Sequence, residues 1–157
     1  LNCELPVIAA MQGHALGGGL AFGCYADIII MAEEAIYSAN FMNYGFTPGF
    51  GSTYIIPKKL GVPLGNEMLF TAKNYFGREI REINAGMRII KSNEVLDKAL
   101  DIASDLADKP RLSLIHLKAH LSQDIKYQLP NIVEQEIKMH DITFKQKEVR
   151  ERICEKI

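Results

Sequence analysis

This sequence of 157 residues has no excess of charge of either sign and no apolar run of membrane-spanning length. Its 18 lysines and arginines nearly balance 19 acidic residues, which leaves a formal net charge of −1. A balanced charge offers no bulk attraction to nucleic acid or to an anionic membrane. No apolar run approaches the roughly 18 residues of a transmembrane helix, and no charged-then-apolar leader opens the chain. We therefore expect a protein that binds neither nucleic acid nor membrane.

Cysteine is also scarce. The three residues Cys3, Cys24 and Cys154 are odd in number and widely separated. This pattern favours reduced thiols in a cytoplasmic protein over a disulfide framework. The chain opens on Leu1, without a methionine and only a few residues before an apolar strand. We expect a fragment that has lost an N-terminal portion; the alternative is a trimmed but complete domain.

The apolar residues that make up 48% of the chain predict two regions. Strands are predicted at 7–11, 28–31, 35–39 and 87–90, helices at 19–26, 53–60 and 63–71, and a loop at 40–52. From Ser92 onward apolar residues recur at helical spacing, and Pro110 and Pro130 are each expected to begin a further helix. The pattern predicts an α/β core over 1–91 and a helical module over 92–157, with enough exposed apolar surface to favour an oligomer.

A triple glycine follows the first predicted strand. Gly17, Gly18 and Gly19 stand where a helix begins, so their backbone N–H groups are suited to bind an anion, as in an oxyanion hole. Glycine also lets a ligand approach the backbone closely. A dinucleotide-binding turn is disfavoured because Phe22 stands where the third glycine belongs, and no lysine follows to make a P-loop. A purely structural turn remains an alternative.

Acid–base groups are sparse near this turn. The helix behind it offers only Cys24 and Tyr25 as weak candidates. His14 precedes the glycines and is a candidate base, although a hydrogen-bonded loop histidine is the more common situation. His116 and His120 have a spacing that metals use, but no carboxylate lies between them, so we predict no metal site.

A fourth histidine lies on a predicted helical face. Val133, Ile137, His140 and Phe144 fall at helical spacing, which places His140 among apolar residues. Glu136, one turn earlier, is expected to hold the imidazole or raise its pKa. An imidazole on an apolar cleft wall is suited to general acid or base catalysis near neutral pH. The alternative is a core histidine with a purely structural role.

Segments 6–19, 27–30 and 44–53 together resemble the crotonase family, the enoyl-CoA hydratase/isomerase superfamily. The resemblance covers nearly the whole chain. It implies a partial spiral core of ββα units, a C-terminal helical module that forms a homotrimer, and an oxyanion hole that polarises a thioester carbonyl. Gly18 corresponds to one donor of that hole, with Gly17 and Gly19 beside it as substrate-binding residues. The partner amide is expected upstream of Leu1.

Two positions depart from the hydratases of that family. Where those enzymes carry glutamates, this sequence has Ala21 and Phe41. Adding water across a double bond requires a carboxylate to activate the water, which neither side chain can do. Simple hydration is therefore disfavoured. Both residues are expected to line a drier substrate pocket.

Segments 39–49, 57–61 and 134–140 resemble one branch of the family, the decarboxylating enoyl-CoA hydratase homologues of bacterial polyketide β-branching cassettes. This resemblance implies loss of carbon dioxide from a 3-methylglutaconyl-type thioester on an acyl carrier protein. His140 matches the catalytic histidine of that branch, whose lysine is expected upstream. No cofactor is implied beyond the phosphopantetheine or coenzyme A that carries the acyl group. The alternatives are a hydratase or isomerase with relocated acids, and a non-catalytic binding module.

Overall fold

The computed structural model describes residues 1–84 and 86–155 and contains two small sheets. The strands in chain order are β1 (Ile8–Met11), β2 (Ala15–Leu16), β3 (Ile28–Ala32), β4 (Ile36–Ser38), β5 (Tyr75–Phe76) and β6 (Arg88–Ile90). One sheet has the all-parallel order β1-β3-β6. In the other, β4 pairs in parallel with β2 and antiparallel with β5. The predicted α/β class is confirmed.

Helices cover most of the remaining chain. They are α1 (Gly18–Cys24), α2 (Ser52–Leu60), α3 (Val62–Thr71), α4 (Gly77–Ile83), α5 (Val95–Ala107), α6 (Arg111–Thr143) and α7 (Lys147–Glu155), with 3-10 turns at Asn40–Tyr44 and Ser92–Glu94. The predicted strands and the helices α1 to α3 are confirmed within a few residues. The short elements β2, β5 and α4 were not expected from the sequence, and the 3-10 turn at Asn40–Tyr44 lies in the predicted loop.

The prediction that Pro130 begins a new helix is wrong, because α6 continues through it. A proline inside a helix costs about 3 kcal/mol, since it removes one hydrogen bond and crowds the preceding turn. Ile125 before the proline and Glu136 after it are both buried. Packing on both sides of Pro130 therefore keeps the helix continuous.

The hydrophobic core lies between the sheets and the helices. It contains Leu20 of α1, Ile30 of β3 and Ile55 of α2, each fully buried. Val95 and Ala99 of α5 belong to the same cluster. The helical region after residue 91 thus begins with a helix that packs on the sheet, and the division into 1–91 and 92–157 stays a prediction.

The hydroxyl of Tyr37 joins the two sheets. It donates to the carbonyl of Met11 in β1 and accepts the N–H of Ala32 in β3, both at 2.8 Å. The Tyr37 side chain is fully buried, so these two bonds satisfy polar groups that water cannot reach. We call Gly17–Gly19 the glycine turn; it follows β2 directly. The two bonds of Tyr37 therefore hold the β2-β4-β5 sheet, and with it the glycine turn, against the β1-β3-β6 sheet.

Helices α5 and α6 carry exposed apolar side chains, among them Leu96, Leu100, Leu117, Leu121 and Ile142. None of the helices in residues 1–84 and 86–155 has the length and hydropathy needed to cross a bilayer. The exposed leucines agree with the apolar surface expected from the sequence. An oligomer that buries them stays a prediction.

Candidate active site

Gly17 shapes the turn that enters α1. Its φ of 52° and ψ of −118° lie where side chains are strained, and its N–H donates to the carbonyl of Ser38 at 2.7 Å. A Cβ at this position would lie 2.7 Å from Oδ1 of Asn40 and 3.6 Å from the ring of Phe41. The backbone conformation therefore favours glycine at position 17, and a side chain there would also displace Asn40.

Gly18 and Gly19 form the first helical positions after that turn. Both are exposed, and a Cβ added to either would meet no atom within 4 Å. The first N–H groups of a helix have no intrahelical acceptor, so the turn offers donors on an open surface. Ala21, in contrast, is fully buried in the core. Substrate binding by these residues stays a prediction.

A row of rings connects the glycine turn with His140. We define the aromatic wall as Phe41, Phe46, His140 and Phe144. Phe41 lies 6.3 Å from Phe46 between ring centroids, and Phe46 lies 6.4 Å from His140 in a perpendicular arrangement. Phe144 stacks on Phe46 at 4.6 Å and meets His140 edge-on at 5.1 Å. The fold thus places His140 and the ring beside Gly17 on one continuous apolar surface.

A backbone carbonyl sets the tautomer of His140. Nε2 of the half-buried ring lies 2.6 Å from the carbonyl oxygen of Thr47. A carbonyl can only accept, so Nε2 donates, and in the neutral imidazole Nδ1 is the basic nitrogen. A Cβ on Gly49 would overlap Cε1 of the ring and lie 3.1 Å from Nε2. Thr47 and Gly49 therefore fix the ring from two directions.

Nothing in the sequence indicates that Thr47 and Gly49 contact His140. Thr47 and His140 are 93 positions apart. Segment 44–53 shows glycines at spacings typical of a turn, but such a pattern does not reveal which side chain the turn will meet. The roles of Thr47 and Gly49 were therefore missed.

The prediction that Glu136 holds the His140 ring is wrong. Its carboxylate accepts the N–H of Gly51 at 2.6 Å, and the N–H and hydroxyl of Thr53 at 3.0 and 2.7 Å. These groups lie at the start of α2, where N–H donors lack intrahelical acceptors and the helix dipole favours a negative charge. Ile137, expected on an apolar face, is 55% exposed.

The other histidines lie elsewhere. Nδ1 of His14 accepts the N–H of Ile36 at 2.9 Å, the arrangement of a hydrogen-bonded loop histidine. His116 and His120 are exposed on α6. Among the described residues, no three metal-ligating side chains come together.

Cys24 and Tyr25 are protonated at neutral pH. Burial raises the pKa of the Cys24 thiol to about 12. Burial, reinforced by the negative charge of Glu136, raises the pKa of Tyr25 to about 12. The Tyr25 hydroxyl donates to the carbonyl of Phe50 at 2.8 Å. Because the thiolate is the nucleophilic form of cysteine, the buried Cys24 thiol is a poor nucleophile.

Residues 1–155 match the family model for enoyl-CoA hydratase/isomerase. The chain is 50% identical over 153 residues to the bacillaene synthase decarboxylase PksI of Bacillus subtilis, a match that covers 98% of this chain and 61% of that protein. It is 32% identical over 113 residues to a carnitinyl-CoA dehydratase of Proteus mirabilis, covering 72% of this chain and 43% of that protein. The chain thus spans about three-fifths or less of these relatives.

Solved structures agree with this relationship. A chain from a dehydratase/decarboxylase enzyme couple involved in polyketide beta-branching matches with a TM-score of 0.95 and 50% identity, over 97% of this chain and 62% of that one. The ECH2 decarboxylase domain of CurF from Lyngbya majuscula matches with a TM-score of 0.96 and 43% identity, over 99% of this chain and 64% of that one. The predicted crotonase-like fold is confirmed, and the chain belongs to the enoyl-CoA hydratase/isomerase family.

Proposed function

We propose that the protein decarboxylates a 3-methylglutaconyl-type thioester carried on an acyl carrier protein, as a step of polyketide β-branching. The observation that carries the proposal is the position of His140, held with Nδ1 as its basic nitrogen on the aromatic wall that reaches the glycine turn. Similarity to two decarboxylases supports the same reaction.

The reaction begins with cleavage of the bond between the substrate carboxylate and its neighbouring carbon. The electron pair moves into the conjugated thioester, carbon dioxide leaves, and a dienolate forms. The N–H of Gly18 stabilises the negative thioester oxygen, for about 3–4 kcal/mol per donor at the transition state. Protonated His140 then transfers the proton on Nδ1 to carbon, which yields a 3-methylcrotonyl-type thioester. The residues require no cofactor beyond the thiol that carries the acyl group.

Apolar residues in place of acids favour this chemistry over hydration. The ring of Phe41 lies beside Gly17, and Ala21 is buried beneath the turn. Without a carboxylate at either position, water near the thioester is not activated. An apolar site also weakens the solvation of a substrate carboxylate, which favours its loss as neutral carbon dioxide.

The test is decarboxylation of the carrier-bound substrate by the intact protein, followed by mass spectrometry of the acyl group. His140→Ala should lower the rate by about 100-fold or more. His116→Ala is the matched control, since that histidine is exposed on the same helix. Full activity of His140→Ala would contradict the proposal.

A second assay separates the alternatives. The intact protein should hydrate crotonyl-CoA at a negligible rate, because Ala21 and Phe41 replace the expected carboxylates. Rapid hydration would instead support a hydratase with relocated acids. Tight binding of the carrier protein without turnover would support a non-catalytic binding module.

The proposed partners are the acyl carrier protein and two further copies of the chain, in a homotrimer of a cytoplasmic enzyme. Exposed leucines on α5 and α6, such as Leu100 and Leu121, support an interface between copies. Light scattering of the intact protein should give a trimer mass, and Leu121→Glu should lower that mass if α6 contributes to the interface.

A further inference from the structure

Three side chains on one face of α6 attach to the segment that surrounds His140. We call residues 47–53 the glycine segment. Glu136, His140 and Thr143 are spaced four and three positions apart, so they lie on the same helical face. Oγ1 of Thr143 lies 3.2 Å from Oγ1 of Thr47, and His140 donates to the Thr47 carbonyl. The first residue of the glycine segment is thereby tied to the C-terminal part of α6.

Glu136 ties the other end of the glycine segment. Its side chain is only 2% exposed and accepts three hydrogen bonds, one from Gly51 and two from Thr53. Hydrogen bonds to an ionised acceptor are roughly twice as strong as those between neutral groups. The buried carboxylate is therefore a strong anchor between α6 and the start of α2.

Between these two anchors the backbone is constrained. Phe50 has a φ of 62°, in the left-handed region that a side chain rarely adopts. The hydroxyl of Ser52 donates to the carbonyl of Gly49, the residue whose Cα faces the His140 ring. A strained conformation of this kind persists only where surrounding contacts hold it. We therefore expect that release of Gly51 loosens Gly49, which contacts the imidazole.

We propose that Glu136 is a positioning residue for His140. By anchoring Gly51 and Thr53, it holds the glycine segment so that the Thr47 carbonyl and Gly49 fix the tautomer and orientation of the ring. Because Glu136 is only 2% exposed, we expect it to act through the glycine segment and not by touching the substrate. The inference rests on the proposed function only in that His140 is the proton donor, because the effect on the ring can be measured without substrate.

The central experiment compares Glu136→Gln with Glu134→Gln in the intact protein. Glutamine keeps the size of Glu136 but removes its charge and one of its two acceptor oxygens. Glu134 is the matched control, because it lies on the same helix with its side chain 65% exposed and pairs with Lys138. Glu136→Gln should lower kcat about tenfold to a hundredfold with KM nearly unchanged, whereas Glu134→Gln should change neither. A loss of folded protein with normal kcat per folded molecule would overturn the proposal.

A double variant asks whether Glu136 acts through His140. In a His140→Ala background, Glu136→Gln should lower kcat no further, since there is no ring left to position. A further drop by the full factor would overturn the positioning role. Full activity of His140→Ala would instead refute the proposed function and leave the positioning role to a spectroscopic test.

That test is the nuclear magnetic resonance signal of the His140 Nε2 proton, which needs no substrate. The hydrogen bond to Thr47 should protect this proton from exchange in the unmodified protein and in Glu134→Gln. In Glu136→Gln the signal should be lost, and its persistence would overturn the proposal.

If Glu136→Gln does not fold, Thr53→Val provides the test. It removes one of the three donors to Glu136 and should give a smaller loss of kcat and faster exchange, whereas no change in either would overturn the proposal.

Discussion

The imidazole of His140 occupies the space that a methyl group on Gly49 would need. A Cβ there would overlap Cε1 of the ring and lie 3.1 Å from Nε2. Position 49 therefore requires a glycine because a side chain 91 positions later lies against it, and not because of the φ angle of Gly49. The contact joins the loop before α2 to the end of α6 and determines where the proposed proton donor lies.

Replacing Gly49 with alanine should displace the His140 ring. We expect kcat for decarboxylation to fall about tenfold to a hundredfold, because small displacements of a reacting group cost up to that much. Gly13→Ala is the control, since a Cβ at Gly13 meets no atom within 4 Å. Equal activity of the two variants would show that the ring is not constrained by Gly49.

Replacing Tyr37 with phenylalanine should destabilise the fold by about 2–4 kcal/mol. The change leaves the N–H of Ala32 and the carbonyl of Met11 without their hydroxyl partner inside the protein, and each unpaired buried group costs about 1–3 kcal/mol. Urea unfolding measures the difference. Tyr127→Phe, at a side chain 80% exposed, should leave the midpoint unchanged.

Lys118 and Asp27 form an ion pair whose lysine side chain is only 3% exposed. Lys118→Met keeps the length of the side chain and removes its charge, which leaves the Asp27 carboxylate without its cation at 2.6 Å. We expect a loss of about 2–4 kcal/mol, somewhat less than for a fully buried pair because Asp27 is partly exposed. Lys58→Met, at an exposed pair with Asp124, should have little effect. Equal unfolding midpoints for the two variants would contradict the prediction.

Alkaline pH should destabilise the protein through Cys24. Burial raises the pKa of its thiol from 9.0 to about 12 in the folded state. The stability that this thiol contributes is fully present below its unfolded pKa. It is lost between about pH 9 and about pH 12, because only the unfolded chain releases the proton there. The expected slope is about 1.4 kcal/mol per pH unit for this group.

Cys24→Ala tests the source of that slope. Urea unfolding at about pH 8 and about pH 10 should show a smaller loss of stability for the variant than for the unmodified protein. Tyr37, whose pKa burial raises from 10.0 to about 12, should add its own loss in both proteins at higher pH. An identical loss in the two proteins over this interval would rule out the thiol as its source.

Local pattern was sufficient for the larger elements and for the family. Ile28 to Met31 is apolar throughout, and such a run predicts a strand buried on both faces. The glycine turn was recognisable because three consecutive glycines, Gly17 to Gly19, stand where a helix was predicted to begin. In contrast, β2 and β5 have two residues each and exist only through pairing with β4. A strand of two residues is too short to show the alternation of apolar and polar residues that would predict it from the sequence.

The pattern of residues along the chain was enough to predict the α/β class, the glycine turn at the start of α1 and the resemblance to the enoyl-CoA hydratase/isomerase family. It also pointed to His140 as a candidate general acid or base. Two contacts became visible only in the folded protein: Glu136 anchors Gly51 and does not hold the imidazole, and the Thr47 carbonyl sets the tautomer of His140. Both contacts join residues that lie far apart along the chain. Helical periodicity specifies which face a side chain occupies, but a hydrogen-bond partner 85 or 93 positions away is brought there only by the fold.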